Sequence, residues 1–223
     1  MRYSEFTPFD LWLLAQGLGV TIGLFLATSL IGLAIGVLWA VIRFYRVPVL
    51  MQLVTFVSEV LKNSPVLVQL FLVFFGVPAL LKLNMTPVNA AVITLSANTA
   101  AFIYVIAVSA IESIGRDQIE AARVFGLSRW QVLRRVIAPQ AAAFSIGPLT
   151  ALLVNQLQVT SLISVIGVMD LAKIGANLNL RTLKPFIVWT VVGILYYLVA
   201  KLIAVIGARL EQRLRAHSAF RGL

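Results

Sequence analysis

The residues most able to do chemistry in this chain are uncharged hydrogen-bonding side chains set within long apolar runs. They form two groups, namely Ser96, Asn98, Thr99 and Tyr104, and the denser Asn155, Gln156, Gln158, Thr160 and Ser161. Unpaired polar groups are costly in lipid, so such side chains either bond neighbouring helices or line an internal path for a polar solute. The residues by themselves leave both interpretations open.

Other kinds of chemistry are excluded by composition. The chain has no cysteine, and its single histidine, His217, lies among arginines near the C-terminus. Thiolate catalysis, disulfides and Cys-rich or His-rich metal centres are therefore ruled out. There is also no G-x-x-x-x-G-K-[ST] loop, HExxH or G-x-S-x-G motif. We predict a chain with no catalytic residue, no metal site and no bound cofactor.

The elements that position the polar groups are membrane spans. Of the 223 residues 61% are hydrophobic and 12% charged, where a soluble protein has about 45–50% and about 25%. Several uncharged runs exceed the roughly 20 residues needed to cross a bilayer. The sequence predicts an all-α, polytopic membrane protein with a single domain over 1–223. The five predicted spans are about 11–42, 65–81, 87–111, 141–168 and 185–208.

The charge distribution predicts the orientation of these spans, because cytoplasmic loops are enriched in Lys and Arg. Most of the 18 basic residues fall on the side that holds the segment between the third and fourth spans. We therefore expect the N-terminus outside, the C-terminus in the cytoplasm and segment 112–139 as a cytoplasmic loop. The net charge of +10 is explained by this topology signal rather than by nucleic-acid binding.

Small residues recur along the first span at the spacing that lets two helices approach closely. They are Gly19, Gly23, Ala27, Gly32 and Gly36. The stripe packs a helix of the same subunit or forms a dimer seam.

The cytoplasmic loop, 112–139, is patterned as two short helices. Asp117 is placed to cap the first helix, and Gly126 suits the left-handed residue that ends it. Ser128 begins an S-x-x-Q capping box for the second helix, and Pro139 follows its last turn. A helix-turn-helix is therefore predicted in the loop.

The second loop helix carries an apolar stripe at Trp130, Leu133 and Ile137. An amphipathic helix outside the membrane needs an apolar surface to cover such a stripe. Either the loop packs on its own membrane domain or among headgroups, or it inserts into a groove of a cytoplasmic partner.

The loop resembles the EAA motif, E-A-A-x3-G-x9-I-x-L-P, of the permease subunits of binding-protein-dependent ABC importers. Glu120-Ala121-Ala122, Gly126 and Pro139 match at the family's spacing, whereas Val136 and Ala138 replace the isoleucine and the leucine. Segments 62–70, 126–141 and 160–171 are similar to the polar amino acid permeases of the histidine, glutamine and arginine type. The resemblance thus extends over most of the chain.

This resemblance implies an ATP-driven amino acid importer in the bacterial cytoplasmic membrane. Two permease subunits, identical or similar, form the pore, and each EAA loop docks on a separate cytoplasmic ATPase that binds ATP and Mg²⁺. An extracytoplasmic solute-binding protein delivers the substrate. The residues expected to couple this chain to the ATPase are Glu120, Ala121, Ala122, Gly126, Ser128 and Pro139.

The resemblance also implies a substrate path through the polar groups of the spans. The expected residues are Asn98, Thr99, Tyr104, Asn155, Gln156, Gln158, Thr160 and Ser161. Where the subgroup often carries a glutamate, an arginine and a Lys-Asp pair, this chain has Val105, Val108, Gln158 and Val159. Either a partner permease holds the substrate, or the substrate is less polar, or the pocket uses neutral donors.

Three other classes of protein are alternatives to the importer. A self-sufficient secondary transporter or channel is the main alternative, but the first, third and fourth spans have no Asp, Glu, Lys or Arg in their cores to bind a coupling ion. An intramembrane enzyme lacks a catalytic motif. A non-transporting regulator built on the permease fold is the third alternative.

Overall fold

The computed structural model describes residues 5–219, with side chains as far as residue 214. Ten α-helices occur in this part of the chain, and it contains no β-strand. They are α1 (Pro8–Tyr45), α2 (Pro48–Lys62), α3 (Val66–Phe71), α4 (Val77–Leu81), α5 (Pro87–Glu112), α6 (Arg116–Val124), α7 (Arg129–Val132), α8 (Ala138–Val159), α9 (Leu171–Thr182) and α10 (Pro185–Ala219). A 3-10 helix, Thr160–Ile166, continues α8.

The number of helices able to cross a membrane agrees with the predicted number of spans. Within the described residues, four helical segments are long and apolar enough to do so, and the number is five if α2 and α3–α4, a pair bent by 108°, count as one span. The prediction of an all-α protein with about five spans is therefore confirmed.

The longest helix, α1, has 38 residues and well-formed ends. At its start, the carboxylate of Asp10 accepts the backbone N–H of Thr7 at 2.8 Å, which satisfies a donor that the helix leaves free. At its end, Arg46 takes a left-handed conformation, and Pro48 starts α2 two residues later. At about 1.5 Å per residue, α1 spans roughly 57 Å, more than the hydrocarbon core of a bilayer.

Helices α1 and α5 pack closely because α1 has glycines where they meet. A Cβ atom placed on Gly32 lies 2.7 Å from the Cβ of Thr99, and one placed on Gly36 lies 2.7 Å from the backbone oxygen of Ala100. By contrast, Cβ atoms placed on Gly19 or Gly23 meet nothing within 4 Å. One half of the predicted small-residue stripe thus packs within this chain, and the other half is open.

Two π-helical turns precede prolines. The turn Leu72–Gly76 lies just before Pro78, and the turn Leu133–Ile137 lies just before Pro139. A proline removes one helical hydrogen bond and clashes with the carbonyl four residues earlier. The wider turn makes room for the ring and lets the helix continue.

The prediction that the second loop helix ends before Pro139 is therefore wrong. Helix α7 runs through the π-helical turn directly into α8, and Pro139 lies in the first turn of α8. The loop is thus joined to the membrane-spanning helix without an intervening flexible segment.

The segment between the last two spans contains a helix that the sequence analysis did not identify. Helix α9 packs against α1 and α10, and the buried Leu14, Leu171 and Val188 join these three helices in one apolar cluster. Asp170 caps α9 by accepting the backbone N–H of Lys173 at 2.9 Å. The N-terminal part of α1 is thereby held against the connection to α10.

Gly32→Ala should destabilise the packing of α1 on α5, because its Cβ would meet Thr99 at 2.7 Å and the backbone oxygen of Ser96 at 3.1 Å. We expect a loss of about 1–3 kcal/mol, typical of overpacking. Gly23→Ala is the matched control, since it meets nothing within 4 Å. Thermal unfolding of the purified variants in detergent measures the difference, and equal midpoints would contradict this account of the contact.

Candidate functional site

Asn98, one of the polar groups of α5, is engaged in holding helices together, whereas the buried hydroxyls of Ser96 and Thr99 have no hydrogen-bond partner among the described residues. The side-chain amide of Asn98 donates to the backbone oxygen of Leu61 at 3.1 Å and to Gln69 Oε1 at 3.4 Å. Gln69 in turn donates to Leu61 O at 2.6 Å and to Ser64 O at 3.0 Å. Asn98 and Gln69 therefore satisfy carbonyls that become free where the chain bends between α2 and α3.

Thr99 and Tyr104, the other α5 residues predicted on the substrate path, are also buried. Thr99 is fully buried against Gly32. Tyr104 is 5% exposed, and its hydroxyl lies 3.0 Å from Thr55 Oγ1. In the single chain neither side chain faces an open path.

Two residues of the second polar group are likewise internal. Gln156 is 2% exposed and donates to Thr28 Oγ1 at 3.3 Å, which links α8 to α1. Thr160 is fully buried, and its hydroxyl donates to Leu157 O at 2.6 Å at the start of the 3-10 helix. Gln156 therefore makes a hydrogen bond between helices, and Thr160 makes one at the end of α8.

The remaining three residues form a polar stripe on the outside of the same segment. Asn155 and Gln158 are exposed and Ser161 is half-buried, and their spacing of three places them on one helix face. Among the described residues, the side chains of Asn155 and Gln158 make no hydrogen bond within the chain, and the Ser161 hydroxyl donates only to Gln158 O, at 2.7 Å. This polar stripe, Asn155, Gln158 and Ser161, can still bind a polar ligand or partner.

The four residues that replace the subgroup's charges do not form a charged site here. Val105, Val108 and Val159 are half-buried, and Gln158 belongs to the polar stripe. Of the four, only Gln158 has a side chain that can form hydrogen bonds.

The predicted helix-turn-helix of the loop is present as α6 and α7, which we call the loop hairpin (116–132). The proposed cap at Asp117 is wrong, because α6 begins at Arg116 with Gly115 at its N-cap and Asp117 lies in the first turn. A carboxylate in the first turn is still favourable there. Gly126 has a φ of +79°, as the sequence predicted, and its N–H bonds Arg123 O at 2.9 Å.

The capping box of the second helix is also present. Ser128 Oγ accepts the backbone N–H of Gln131 at 3.3 Å, and the Gln131 side chain accepts the N–H of Ser128 at 2.8 Å. These reciprocal bonds fix the turn between α6 and α7.

The inner face of the loop hairpin and of the π-helical turn that follows it (Leu133–Ile137) packs on the membrane helices. Ile137 is fully buried, Val132 is 1% exposed and Leu133 is 7% exposed. They pack with Ala122 and with Ala110 of α5 in one apolar cluster. A hydrogen bond of 2.8 Å between the side chains of Gln140 and Gln118 closes the same contact. Part of the predicted stripe is thus covered by the chain's own membrane domain.

The tip of the loop hairpin is apolar and uncovered. Val124 is 86% exposed, Phe125 83% and Trp130 58%. The apolar stripe in the sequence indicated Trp130 but not Val124 and Phe125, which lie between the two alanines of the motif and the glycine turn. Exposed aromatic groups next to a rigid turn are typical of a protein-binding surface.

Of the other predicted coupling residues, Glu120 and Ala121 are exposed and Ala122 is buried. Ser128 caps α7, and Pro139 is in the continuous helix. The loop residues therefore divide into an exposed set available to a partner and a buried set that holds the hairpin.

A buried carboxylate that sequence analysis missed lies on the opposite side of the membrane helices from the loop hairpin. Asp170 is fully buried, and the Tyr196 hydroxyl lies 3.5 Å from its Oδ2. Burial raises the pKa of the Asp170 carboxyl, and backbone N–H groups at the start of α9 oppose the shift. Nearby, Asp10 pairs with Arg181, which ties α1 to α9.

Comparison with known families gives one family match that covers most of the chain. Residues 32–216 match the family described as binding-protein-dependent transport system inner membrane component.

Individual relatives and a solved structure agree with this match. The L-cystine transport system permease protein TcyL of Bacillus subtilis (strain 168) is 34% identical over 83% of this chain and 80% of its own length. The glutamine transport system permease protein GlnP of Escherichia coli (strain K12) is 30% identical over 91% of this chain and 93% of its own. The crystal structure of an amino acid ABC transporter with histidines superposes on this chain with a TM-score of 0.84 and 25% identity, covering 90% of this chain and 94% of that one.

Stability should fall as the pH rises through the raised pKa of Asp170. When the pKa of a carboxyl is higher in the folded than in the unfolded state, the protonated group adds to the free energy of unfolding at every pH below its unfolded pKa. This added stability is lost as the pH rises from the unfolded pKa through the folded pKa. Asp170→Asn keeps a capping side chain and should remove this loss of stability at higher pH. Unfolding midpoints across pH, with Asp117→Asn at an exposed site as control, test the sign. A wild-type slope kept in Asp170→Asn would contradict it.

Proposed function

This chain belongs to the family of inner membrane components of binding-protein-dependent transport systems, and we propose that it is the pore-forming permease of an ATP-driven amino acid importer. The curated relatives described above, named for cystine and glutamine transport, support the substrate class. ATP hydrolysis belongs to a separate ATPase, and an extracytoplasmic binding protein delivers the amino acid. The chain is therefore a transport subunit rather than an enzyme.

The observation that carries this proposal is the arrangement of the loop hairpin. Its base is held by fully and nearly fully buried residues and runs without a break into α8, while its tip presents Phe125 and Trp130 to solvent. The loop hairpin and α8 would thus move together as one rigid body when a force acts on the tip. A partner that binds two states of the loop hairpin differently can switch the spans between them.

The orientation follows from the distribution of basic residues. The end of α1, the loop hairpin and the end of α10 carry most of the arginines, so this side is assigned to the cytoplasm of a bacterial inner membrane. The N-terminus lies outside and the C-terminus inside. The loop hairpin then faces a cytoplasmic ATPase, and α9 faces the binding protein.

The proposed contact of this chain with substrate is the polar stripe of α8 and the 3-10 helix. Its exposed amides cannot face lipid without cost, so a second permease, similar or identical, covers them and leaves a polar path between the subunits. Asn155, Gln158 and Ser161 would then bind the amino acid through neutral donors and acceptors. The other predicted path residues are packing groups in the single chain and shape this path indirectly.

The experiment that separates this function from a self-sufficient carrier is affinity purification of the tagged chain from its host in mild detergent. Co-purification of an ATPase with a phosphate-binding loop supports the importer, and a second, similar permease with it supports a heterodimer. A preparation that transports an amino acid in liposomes without any ATPase would exclude the proposal.

Phe125→Ser should weaken the association with the ATPase by at least about tenfold, because a buried aromatic group at an interface contributes about 2 kcal/mol or more. The chain itself should keep its stability, since this side chain is 83% exposed. Phe186→Ser is the matched control, being 84% exposed at the start of α10 on the other side. Binding of purified ATPase to immobilised permease measures both, and equal affinities would remove the tip from the docking surface.

Gln158→Leu should lower amino acid uptake while leaving assembly with the ATPase intact, because it removes a hydrogen-bonding group from the polar stripe. A loss of about 1–3 kcal/mol of binding, or about fivefold or more in half-saturating substrate concentration, is expected. Gln156→Leu, the neighbouring buried amide, is the control and should act on stability instead. Unchanged uptake in Gln158→Leu would place the path elsewhere.

A further inference from the structure

A large cleft lies where the loop hairpin meets the ends of α1, α2 and α5. Its volume is about 680 Å³. It is bounded by the end of α1 with the adjoining turn, from Ala40 to Arg46, and by the end of α5, from Val108 to Glu112, although not every residue of these stretches lines it. Met51 of α2, Ile119 and Arg123 of α6, and Arg129 at the start of α7 complete the lining. We call it the basic cleft because of the charges around it.

Four arginines and one glutamate line the basic cleft. Arg43 pairs with the glutamate, Glu112, at 3.4 Å. Within the described part of the chain, Arg46, Arg123 and Arg129 are exposed and form no ion pair. Three cations converging on one cavity without a counter-ion attract an anion, and arginine in particular suits the oxygens of a phosphate group.

The inner wall of the basic cleft is apolar. Phe44, Met51, Val108, Ile111 and Ile119 line it beside the arginines. A small inorganic anion has no apolar surface, so contact with such a wall would not stabilise its binding. A ligand that fits both parts has an anionic head and an apolar stem.

The basic cleft lies at the depth where such ligands occur in a membrane. The uncharged run of α1 ends at Ile42, directly before Arg43. Trp39 lies one turn inside and Tyr45 one turn outside this point, and Trp and Tyr are enriched at membrane–water boundaries. This places Arg43 and Arg46 at headgroup level, and Arg123 and Arg129 lie around the same cleft.

We propose that the basic cleft binds an anionic phospholipid, with its phosphate on Arg46, Arg123 and Arg129 and its glycerol and upper acyl carbons along Phe44, Met51 and Val108. A bound lipid would bridge the end of α1 to both helices of the loop hairpin. Its occupancy would bias the position of the hairpin through differential contact. The assignment to the cytoplasmic leaflet rests on the proposed function, whereas the binding itself does not.

The basic cleft is separate from the tip of the loop hairpin. Phe125 and Trp130, the exposed aromatic groups, do not line it. The proposed lipid site and the proposed ATPase-binding tip therefore use different side chains.

The test uses the full-length chain in nanodiscs of phosphatidylcholine with or without phosphatidylglycerol, and native mass spectrometry counts retained phosphatidylglycerol. The double variant R46Q/R129Q removes two cleft arginines and spares the Arg43–Glu112 pair. R134Q/R135Q is the matched control, because it removes the same charge from exposed arginines outside the cleft. Each cleft arginine removed should weaken phosphatidylglycerol binding about fivefold, which corresponds to about 1 kcal/mol, and the control should bind as the wild type does.

Three results would overturn the proposal. Equal phosphatidylglycerol binding by the two double variants would show that the cleft is not the site. Inorganic phosphate that binds to the chain in phosphatidylcholine nanodiscs as tightly as phosphatidylglycerol, and is lost in R46Q/R129Q, would assign the cleft to a soluble phosphate. A loss of ATPase binding in R46Q/R129Q with lipid binding unchanged would assign it to an acidic segment of the ATPase. Because lipid binding is read without ATPase or uptake, its failure is distinguishable from failure of the proposed function.

Discussion

The close packing of α1 against α5 is the contact on which the rest of the structure depends. It exists because Gly32 and Gly36 leave no side chain between the two backbones, and in lipid such van der Waals contact replaces the hydrophobic effect as the source of stability. Helix α5 in turn contacts α2 and α8, so its position sets theirs. The Arg43–Glu112 pair lies where the same two helices end.

A second constraint is that every backbone polar group within lipid must be satisfied internally. The bend of 108° between α2 and α3 frees carbonyls that Asn98 and Gln69 bond. The prolines that follow the two π-helical turns impose the same requirement, and the wide turns meet it while keeping the helices continuous. Asn98 and Gln69 are thus used to hold an irregular backbone, whereas the amides of the polar stripe of α8 are exposed.

The two sides of the protein have opposite characters. On the loop side, a rigid hairpin joined to α8 presents an apolar tip and a basic cleft. On the other side, an ion pair between the buried Asp10 and the partly exposed Arg181 ties α9 to α1, and Asp170 caps α9. In the proposed importer, the first face would move as a unit with the ATPase and the second would stay well ordered where the solute is delivered. The continuous helix from α7 to α8 connects them.

The sequence alone determined the class of the protein, because spans, loop charges and turn residues act locally. Apolar run length predicts membrane helices wherever they pack, and Gly126 and the capping box at Ser128 fix their turns through residues at most three positions away. Helix continuity at Pro139 and the existence of α9 could not be predicted this way, since a π-helical turn and tertiary contacts decide them. Only the tertiary structure showed which polar side chains already form hydrogen bonds within the chain. Asn98 and Gln158 are alike as sequence signals, but Asn98 meets a broken helix and Gln158 faces outward, and that depends on which helix packs against each.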